Sequence, residues 1–356
     1  MHRGAEAITG LDFNERPFIV IWEATQACDL ACVHCRASAQ PLRSKFELST
    51  TEAQGLIDQI AEMRVPVFVI TGGDPLKRPD IYQLVEYATS RGVRTSLTPS
   101  ATPLLTEEAI AELQRRGLAR RAVSLDGSTA EIHDAFRRVP SSYDCTLKAI
   151  GWARECGLPV QINTTVTRRN LADFEQLAGL LKTLEIVLWS VFFLVPTGRG
   201  QLRDLISAEE FEEVFAKLYD LVPRVPFDMT TEAQHFRRYR LQRRTEKSRR
   251  RRPVQEQDPG AIPFVFISQL GEVFPSGFLP IAVGNVRRVP LQEIYQHAPL
   301  FVSMRDTSRL RGKCGVCEFR NVCGGSRARA FALTGDPFAE EPCCVYEPKT
   351  AALCSQ

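Results

Sequence analysis

Short apolar runs alternate with helix-like stretches between residue 17 and about residue 222, and this alternation limits the fold more than any other feature. The runs are rich in Val, Ile and Phe, which favours buried strands, and they lie at 17–24, 65–72, 93–98, 120–126, 158–166 and 186–195. The helices predicted between them lie at 51–64, 79–91, 106–116, 144–156 and 170–184. Strands joined by crossover helices run parallel, and right-handed crossovers curl such a sheet. We therefore predict an α/β fold, a partial (βα)6 TIM-like barrel that is two units short of closure.

A second region follows the barrel. A segment rich in Pro, Arg and Gln predicts a domain boundary, and the apolar run after it predicts a hairpin that turns at Leu270–Gly271. Six of the eleven cysteines lie beyond this hairpin, so we expect a small cysteine-rich α+β domain. The predicted boundaries are an N-terminal extension at 1–16, the barrel at 17–222, a basic and Pro-rich linker at 223–262 and the C-terminal domain at 263–356.

The composition is that of an ordinary soluble globular protein, with 44% hydrophobic and 24% charged residues. No apolar run is long enough for a membrane span, and the N-terminus lacks the apolar stretch of a signal peptide. We therefore expect a cytoplasmic location, where thiols stay reduced. Eleven cysteines in such a compartment predict metal ligation, not disulfides.

The net charge of +3 conceals a strongly basic block at residues 237–252. This block contains ten Lys or Arg residues against the single carboxylate of Glu246. Such a charge can attract substrate carboxylates, an acidic peptide or nucleic acid, or it can belong to a solvated connector between domains. Tyr239 is the only aromatic residue of the block, so base stacking is weakly supported and nucleic acid is not an expected partner.

Three cysteines follow the first predicted strand with the spacing C-x3-C-x2-C: Cys28, Cys32 and Cys35. Three thiolates on one short loop can hold three irons of a cubic 4Fe-4S cluster and leave the fourth iron open. An open iron can chelate a substrate or cosubstrate, which makes the cluster a reagent. The alternative is that the three cysteines are unrelated core or zinc-binding residues.

The second predicted strand ends in a turn that can bind a small ligand: Gly72, Gly73, Asp74 and Pro75. Two glycines let the backbone approach a ligand closely, and exposed backbone groups can bind amino and carboxylate groups. The carboxyl ends of parallel strands meet at one edge of the sheet, where the active sites of α/β barrels lie. The turn and the three cysteines are therefore predicted to be neighbours.

Together these motifs resemble those of radical S-adenosylmethionine (SAM) enzymes, and the resemblance covers residues 17–348. His34 occupies the aromatic position of the family's cysteine loop, and Asp74 stands where the family's G-G-E-P turn has Glu. The resemblance implies that the open iron chelates SAM, that one electron cleaves a C–S bond, and that the resulting 5′-deoxyadenosyl radical abstracts a substrate hydrogen. It also implies a low-potential electron donor, such as a flavodoxin or a ferredoxin.

Further polar residues lie at or near the ends of other predicted strands. Ser124 and Asp126 resemble the family's fourth-strand groups near the SAM ribose and carboxylate, although a strand-terminating turn also explains them. Ser100 and Asn163 are further candidates for SAM binding. After the fourth strand, His133, Asp134 and Arg137 are either catalytic or the polar start of a helix.

The C-terminal cysteines form a second group with the spacing C-x2-C-x5-C-x20-C: Cys314, Cys317, Cys323 and Cys344, with Cys343 as the rival for the last position. Four thiolates fit either a closed 4Fe-4S cluster or a structural zinc site. The pattern resembles the SPASM or twitch extension of radical SAM enzymes, which implies an auxiliary 4Fe-4S cluster. Ser276 stands near the place where a full SPASM domain has a further cysteine, so we predict one auxiliary cluster and not two.

The resemblance is strongest to the heme-synthesis branch of the family, which includes heme b synthase. Enzymes of this branch remove or trim porphyrin propionates, so a tetrapyrrole is the expected substrate. The alternatives are a peptide maturase of the pyrroloquinoline quinone or mycofactocin type, and a non-enzymatic iron-sulfur electron carrier. Peptide maturases commonly have an N-terminal peptide-binding domain, and about 16 residues before the first strand are too few for one.

Overall fold

The computed structural model describes residues 11–247 and 264–349, and within these ranges ten strands form one sheet. The sheet order is β10-β9-β8-β1-β2-β3-β4-β5-β6-β7. The strands are β1 (Ile19–Glu23), β2 (Val67–Thr71), β3 (Thr95–Leu97), β4 (Arg120–Ser124), β5 (Val160–Val166), β6 (Leu188–Phe193), β7 (Asp228–Thr231), β8 (Phe264–Ile267), β9 (Glu272–Phe274) and β10 (Gly284–Asn285).

The first six strands confirm the predicted parallel α/β fold. Each of β1 to β6 pairs in parallel with the next strand along the chain. Two more strands extend this sheet in parallel, β7 beside β6 and β8 beside β1. The hairpin of β8 and β9 is antiparallel and turns at the predicted Leu270–Gly271, so the complete sheet is mixed.

The helices of the described ranges follow the strands, and none of them has the length and apolar character that a bilayer span requires. Several begin at the predicted caps: the side chains of Ser49 and Glu52 form a capping box at the start of the first helix. The helices are α1 (Thr50–Glu62), α2 (Ile81–Ser90), α3 (Glu107–Arg115), α4 (Ala130–Arg137), α5 (Ser142–Glu155), α6 (Phe174–Leu181), α7 (Ala208–Leu221), α8 (His235–Lys247), α9 (Leu291–His297), α10 (Pro299–Arg305), α11 (Gly312–Val316) and α12 (Arg327–Thr334).

The core lies between the strands and the helices, and polar side chains of β5 face the barrel interior. Along β5, Val160, Ile162 and Val166 are buried, whereas Asn163 and Thr165 alternate with them and line an interior cavity. Because successive side chains of a strand point to opposite faces, the apolar set packs in the core and the polar set faces inward. The alternation therefore gives β5 one face in the core and one polar face toward the cavity.

The segment predicted as a linker, 223–262, contains regular structure in its described part. Strand β7 adds to the sheet edge, and α8 packs its buried His235 against Phe211 and Phe215 of α7. The described part of the basic block, residues 237–247, thus lies on α8. Residues 248–263 lie outside the described residues. The C-terminal hairpin also continues the barrel sheet through β8, and the domain boundaries themselves stay predictions.

Candidate functional site

The three-cysteine loop lies at the carboxyl end of β1, as predicted. Cys28, Cys32 and Cys35 are free thiols and line a cavity of about 240 Å³ at this edge of the sheet. The end of α4 holds the loop, because the backbone N–H of Val33 donates to the carbonyl of Phe136 at 3.0 Å. The loop is therefore hydrogen-bonded to the last turn of α4.

The Gly-Gly turn after β2 packs directly on the backbone that leads into this loop. A Cβ atom at Gly73 would lie 2.4 Å from the carbonyl oxygen of Ala27, and one at Gly72 would lie 2.5 Å from that of Thr25. The N–H of Gly73 donates to Thr25 at 2.7 Å. The two glycines thus join the turn to the cysteine loop, and both also line the cavity.

We expect Gly73→Ala to destabilise the protein by about 1–3 kcal/mol, because the added methyl group meets backbone that cannot move aside cheaply. Thermal unfolding measures this loss. Gly151→Ala is the matched control, since a Cβ there meets no atom within 4 Å. It lies inside α5, where Ala is favoured over Gly by about 1 kcal/mol. Equal unfolding temperatures of the two variants would contradict the packing argument.

The sequence predicted a ligand-binding turn that includes Asp74 and Pro75, but these two residues do not line the cavity. The Asp74 side chain is fully buried and accepts hydrogen bonds from the N–H of Leu76 at 3.2 Å and the hydroxyl of Thr102 at 2.8 Å. Burial raises the pKa of Asp74, and the Thr102 hydrogen bond opposes this. The carboxylate also receives the N–H of Ser100 at 3.4 Å, so it positions that residue from behind.

Three of the other predicted polar residues reach the cavity: Ser100, Ser124 and Asn163. The Ser100 hydroxyl donates to the carbonyl of Gly73 at 2.9 Å and lies 3.3 Å from Cys28 Sγ. Its position therefore links the Gly-Gly turn to the first cysteine. Asn163 Oδ1 accepts a hydrogen bond from Gln161 at 2.8 Å, which orients the amide.

Asp126 is fully buried behind the cavity wall and pairs with Arg137. Its other carboxylate oxygen accepts the N–H of Thr165 at 2.8 Å. Arg137 lines the cavity and donates to Cys32 Sγ at 3.4 Å. Burial disfavours the charge of Arg137, but the Asp126 carboxylate and the Cys32 thiol raise its pKa above the usual value. Arg137 is thus a cation held beside the second cysteine by its pairing with Asp126.

His34 lines the cavity as a neutral ring. Burial, together with the cations of Arg137 and Arg199, holds the pKa of His34 well below its usual range. Its ring lies 4.6 Å from that of Phe136. His133 is buried and its Nδ1 accepts the backbone N–H of Asp126 at 3.1 Å, so it supports the same wall. The side chain of Asp134, by contrast, accepts backbone N–H groups at the start of α5.

The loop after β6 is the part of the site that the sequence analysis missed. Gly198 has φ of 59°, and a Cβ there would lie 2.3 Å from the carbonyl of Arg36. The next residue, Arg199, donates its N–H to the carbonyl of Cys35 at 2.9 Å and lines the cavity. A Gly-Arg-Gly run directly after a buried strand was the available signal, because glycine at both sides marks a close backbone approach.

The C-terminal cysteines separate into two environments. Burial raises the pKa of Cys323 to about 12, and the nearby sulfurs of Cys344 and Cys314 act in the same direction. Cys343 is instead packed in the main core, 5% exposed, and its backbone N–H donates to the Glu341 carboxylate at 3.2 Å. Cys344 therefore faces the other cysteines of the group, and Cys343 faces the core.

Within 11–247 and 264–349, no three His, Cys, Asp or Glu side chains converge closely enough to hold a single metal ion. A cubic cluster has a different requirement, since each thiolate binds its own iron and the ligands stand farther apart. The donor set at the barrel edge fits such a cluster. The Cys28 and Cys32 sulfurs accept hydrogen bonds from the N–H of Leu30 at 3.3 Å and from Arg137, which stabilise a thiolate.

A second cavity, of about 170 Å³, adjoins the first. Val195 and Phe278 line both, and the second cavity reaches Cys323 of the C-terminal group. Its wall includes Ser276 and Glu232, which accepts the N–H of Phe193 at 2.9 Å. Burial raises the pKa of Glu232 to about 7. The three-cysteine loop and Cys323 thus open onto neighbouring cavities.

A buried three-cysteine loop at the carboxyl edge of a curled parallel sheet defines a class of iron-sulfur enzyme. The chain belongs to the radical SAM superfamily, which it matches over residues 22–181. It is therefore an enzyme, and the superfamily implies a 4Fe-4S cluster, SAM and a reductant.

Two relatives and one solved structure extend the match over nearly the whole chain. The AdoMet-dependent heme synthase of Methanosarcina barkeri is 40% identical over 340 residues, which are 93% of this chain and 97% of that protein. The mycofactocin maturase MftC of Mycobacterium tuberculosis is 30% identical over 97% of this chain and 86% of its own length. SuiB of Streptococcus suis, solved with bound S-adenosylmethionine, has a TM-score of 0.74 at 16% identity and covers 93% of this chain and 78% of SuiB. This last match concerns the fold alone.

Proposed function

We propose that this radical SAM enzyme modifies the side chains of a tetrapyrrole, by oxidative decarboxylation or a related reaction. The observation that carries the proposal is the similarity to a heme synthase along almost the full length of both proteins. A bound cluster and SAM would supply the radical chemistry that removes a substrate hydrogen. The residues of this chain would hold, orient and shield those groups.

Cys28, Cys32 and Cys35 are the proposed ligands of three irons, which leaves the fourth for SAM. The Arg137 guanidinium and the N–H of Leu30 donate to two of the sulfurs and lower the cost of burying thiolates. The barrel walls the cavity on the strand side, which would shield the radical chemistry from part of the solvent.

We infer that SAM lies along the cavity wall formed by Gly72, Gly73, Ser100, Ser124 and Asn163, with His34 on the cysteine side. Backbone groups of the Gly-Gly turn and the Ser100 hydroxyl suit the amino and carboxylate groups of SAM. The side chains of Asp74 and Asp126 act through others, since they are buried behind this wall.

For the C-terminal group we propose one auxiliary 4Fe-4S cluster in a SPASM or twitch-type region, held by Cys314, Cys317, Cys323 and Cys344. The burial of Cys343 in the core supports Cys344 as the fourth ligand. Ser276 in the second cavity is a poor iron ligand beside a thiolate, which favours a single auxiliary cluster.

Cys344→Ser is expected to lower the iron content of the reconstituted enzyme from about eight to about four per chain, because one of two four-iron clusters loses a ligand. Cys343→Ser is the matched control, one residue away. We expect it to keep about eight irons and to lose thermal stability instead, because it places a hydroxyl in the core. Iron and sulfide analysis decides the matter, and the reverse pattern would assign the ligand to Cys343.

The substrate assignment rests on chemistry as well as similarity. Propionate-bearing tetrapyrroles are anionic, and Arg320 and Arg327 line the second cavity. A peptide maturase is the alternative, supported by the similarity to MftC. Membership of an enzyme superfamily argues against the pure electron carrier. The ten cysteines of the described ranges are free thiols, which agrees with a reducing compartment such as the cytoplasm.

The test is anaerobic turnover of the reconstituted enzyme with SAM and dithionite. An iron porphyrin with propionate side chains should increase the formation of 5′-deoxyadenosine. The porphyrin itself should lose CO2, which mass spectrometry detects as a decrease in its mass. A tetrapyrrole without carboxylates is the control and should do neither. Stimulation by a precursor peptide, and not by the porphyrin, would reject the tetrapyrrole proposal in favour of a maturase.

A further inference from the structure

A third cavity, of about 320 Å³, lies on the outer side of the cysteine loop and is strongly basic. We call it the arginine pocket, and its wall includes Val33, Arg138, Arg169, Arg199, Arg203 and Asp204. The wall thus includes four arginines and one aspartate. Among the described residues, Arg199 alone lines both this pocket and the cavity of the three cysteines.

The arginine pocket is built on the elements that hold the cysteine loop. Val33 lies between Cys32 and Cys35, and Arg138 caps the C-terminus of α4, where its N–H donates to the carbonyl of Asp134 at 2.7 Å. On the other side of the pocket, the backbone N–H of Arg199 donates a hydrogen bond to the carbonyl of Cys35. A partner seated in this pocket is therefore separated from the cluster site by the cysteine loop itself.

Most of the positive charge of the pocket is not neutralised within the described residues. Arg169 pairs with Asp204 at 2.9 Å. No carboxylate in the described part of the chain pairs with Arg138, Arg199 or Arg203, and two buried nitrogens of Arg199, Nε and Nη2, have no hydrogen-bond partner there. Because Arg138 and Arg203 are exposed and have no carboxylate partner among the described residues, the pocket presents a net positive charge that attracts an anionic partner.

We propose that the arginine pocket is the docking surface for an acidic one-electron carrier protein that reduces the cluster at Cys28, Cys32 and Cys35. The inference rests on the proposed cluster. Electron transfer slows steeply with distance, and here only the cysteine loop intervenes. In the step itself the carrier is oxidised by one electron and the cluster is reduced by one, and no bond changes. Complementary charge steers such an encounter and sets its orientation.

The test is the rate of cluster reduction in the holoenzyme with a reduced flavodoxin or ferredoxin, followed by the SAM-sensitive EPR signal. Arg138→Glu/Arg203→Glu reverses two exposed charges of the pocket that touch neither the cysteines nor the SAM cavity. We expect the second-order rate constant to fall by at least ~10-fold and to lose most of its salt dependence. Reduction by dithionite should stay unchanged.

The matched control is Arg94→Glu/Lys182→Glu, which reverses two exposed charges at the opposite edge of the sheet, before β3 and after α6. It should leave both rates unchanged. An equal loss with dithionite would overturn the docking proposal, because the pocket would then serve the cluster site itself. No loss with either reductant would place the carrier elsewhere. Since the readout is cluster reduction, a failed tetrapyrrole assay does not affect this test.

Discussion

Cys32→Ser is expected to abolish 5′-deoxyadenosine formation and to lower the iron content from about eight to about four per chain. The loop offers three thiols for three irons, and a serine alkoxide is a poor substitute for a thiolate. Cys32 Sγ also accepts a hydrogen bond from Arg137, so the substitution removes the sulfur acceptor of this cation. We expect a larger loss than the ~10–100-fold that removal of an outer-shell partner causes.

The measurement is 5′-deoxyadenosine release under dithionite, with iron and sulfide analysis of the same sample. Cys145→Ser is the control, because Cys145 is a half-buried thiol on α5 and lies outside both groups of cysteines. It should keep full iron content and activity. If Cys32→Ser kept its irons and still cleaved SAM, the assignment of the three-cysteine loop would be wrong.

Arg137→Met is expected to destabilise the protein by about 3–5 kcal/mol, because it leaves the buried Asp126 carboxylate without its partner. It should also make the cluster harder to reduce, since hydrogen bonds and positive charge at the sulfurs favour the reduced state. Thermal unfolding measures the first effect, and an EPR-monitored redox titration of the reconstituted enzyme measures the second. The redox effect distinguishes a tuning residue from a merely structural one.

Two variants make this experiment decisive. In Arg137→Met/Asp126→Asn the unpaired charge is removed, so stability should recover in part while the potential stays low. Arg116→Met removes a half-exposed arginine that pairs with Glu112 at the end of α3, and it should leave the stability almost unchanged. A potential that does not move in Arg137→Met would show that the hydrogen bond to Cys32 has no effect on the cluster.

The alternation of strands and helices was sufficient to predict the parallel order of β1 to β6, because each crossover is local in sequence. It was not sufficient for β7 and β8. β7 is a short, half-exposed strand, and β8 pairs with β1 across more than 200 residues. β8 is stabilised by pairing with the free edge of β1. The residues of β8 alone do not indicate which strand they will pair with, so the pairing could not be predicted from the local pattern.

The candidate site residues also divide into those that a local sequence motif predicts and those whose position depends on distant parts of the chain. Cys28, Cys32, Cys35 and the Gly-Gly turn came from short motifs, and the structure brings them to one cavity. Arg199 escaped notice because its role depends on the cysteine loop, far away in the chain. Asp126 looked like a cavity residue because it follows a strand end. Its carboxylate turns instead toward Arg137 behind the wall, a choice that packing made.

The sequence by itself determined the donor chemistry of this protein, since cysteine spacing within a loop is a local property and sets how many irons the loop can hold. It also determined the parallel α/β fold through the period of its apolar residues. Only the tertiary structure decided that Cys344 faces the other cysteines while Cys343 enters the core, and that Arg137 stands beside Cys32, 105 residues away. The physical reason is that burial and charge pairing depend on neighbours that the fold brings together, and these neighbours are distant in the chain.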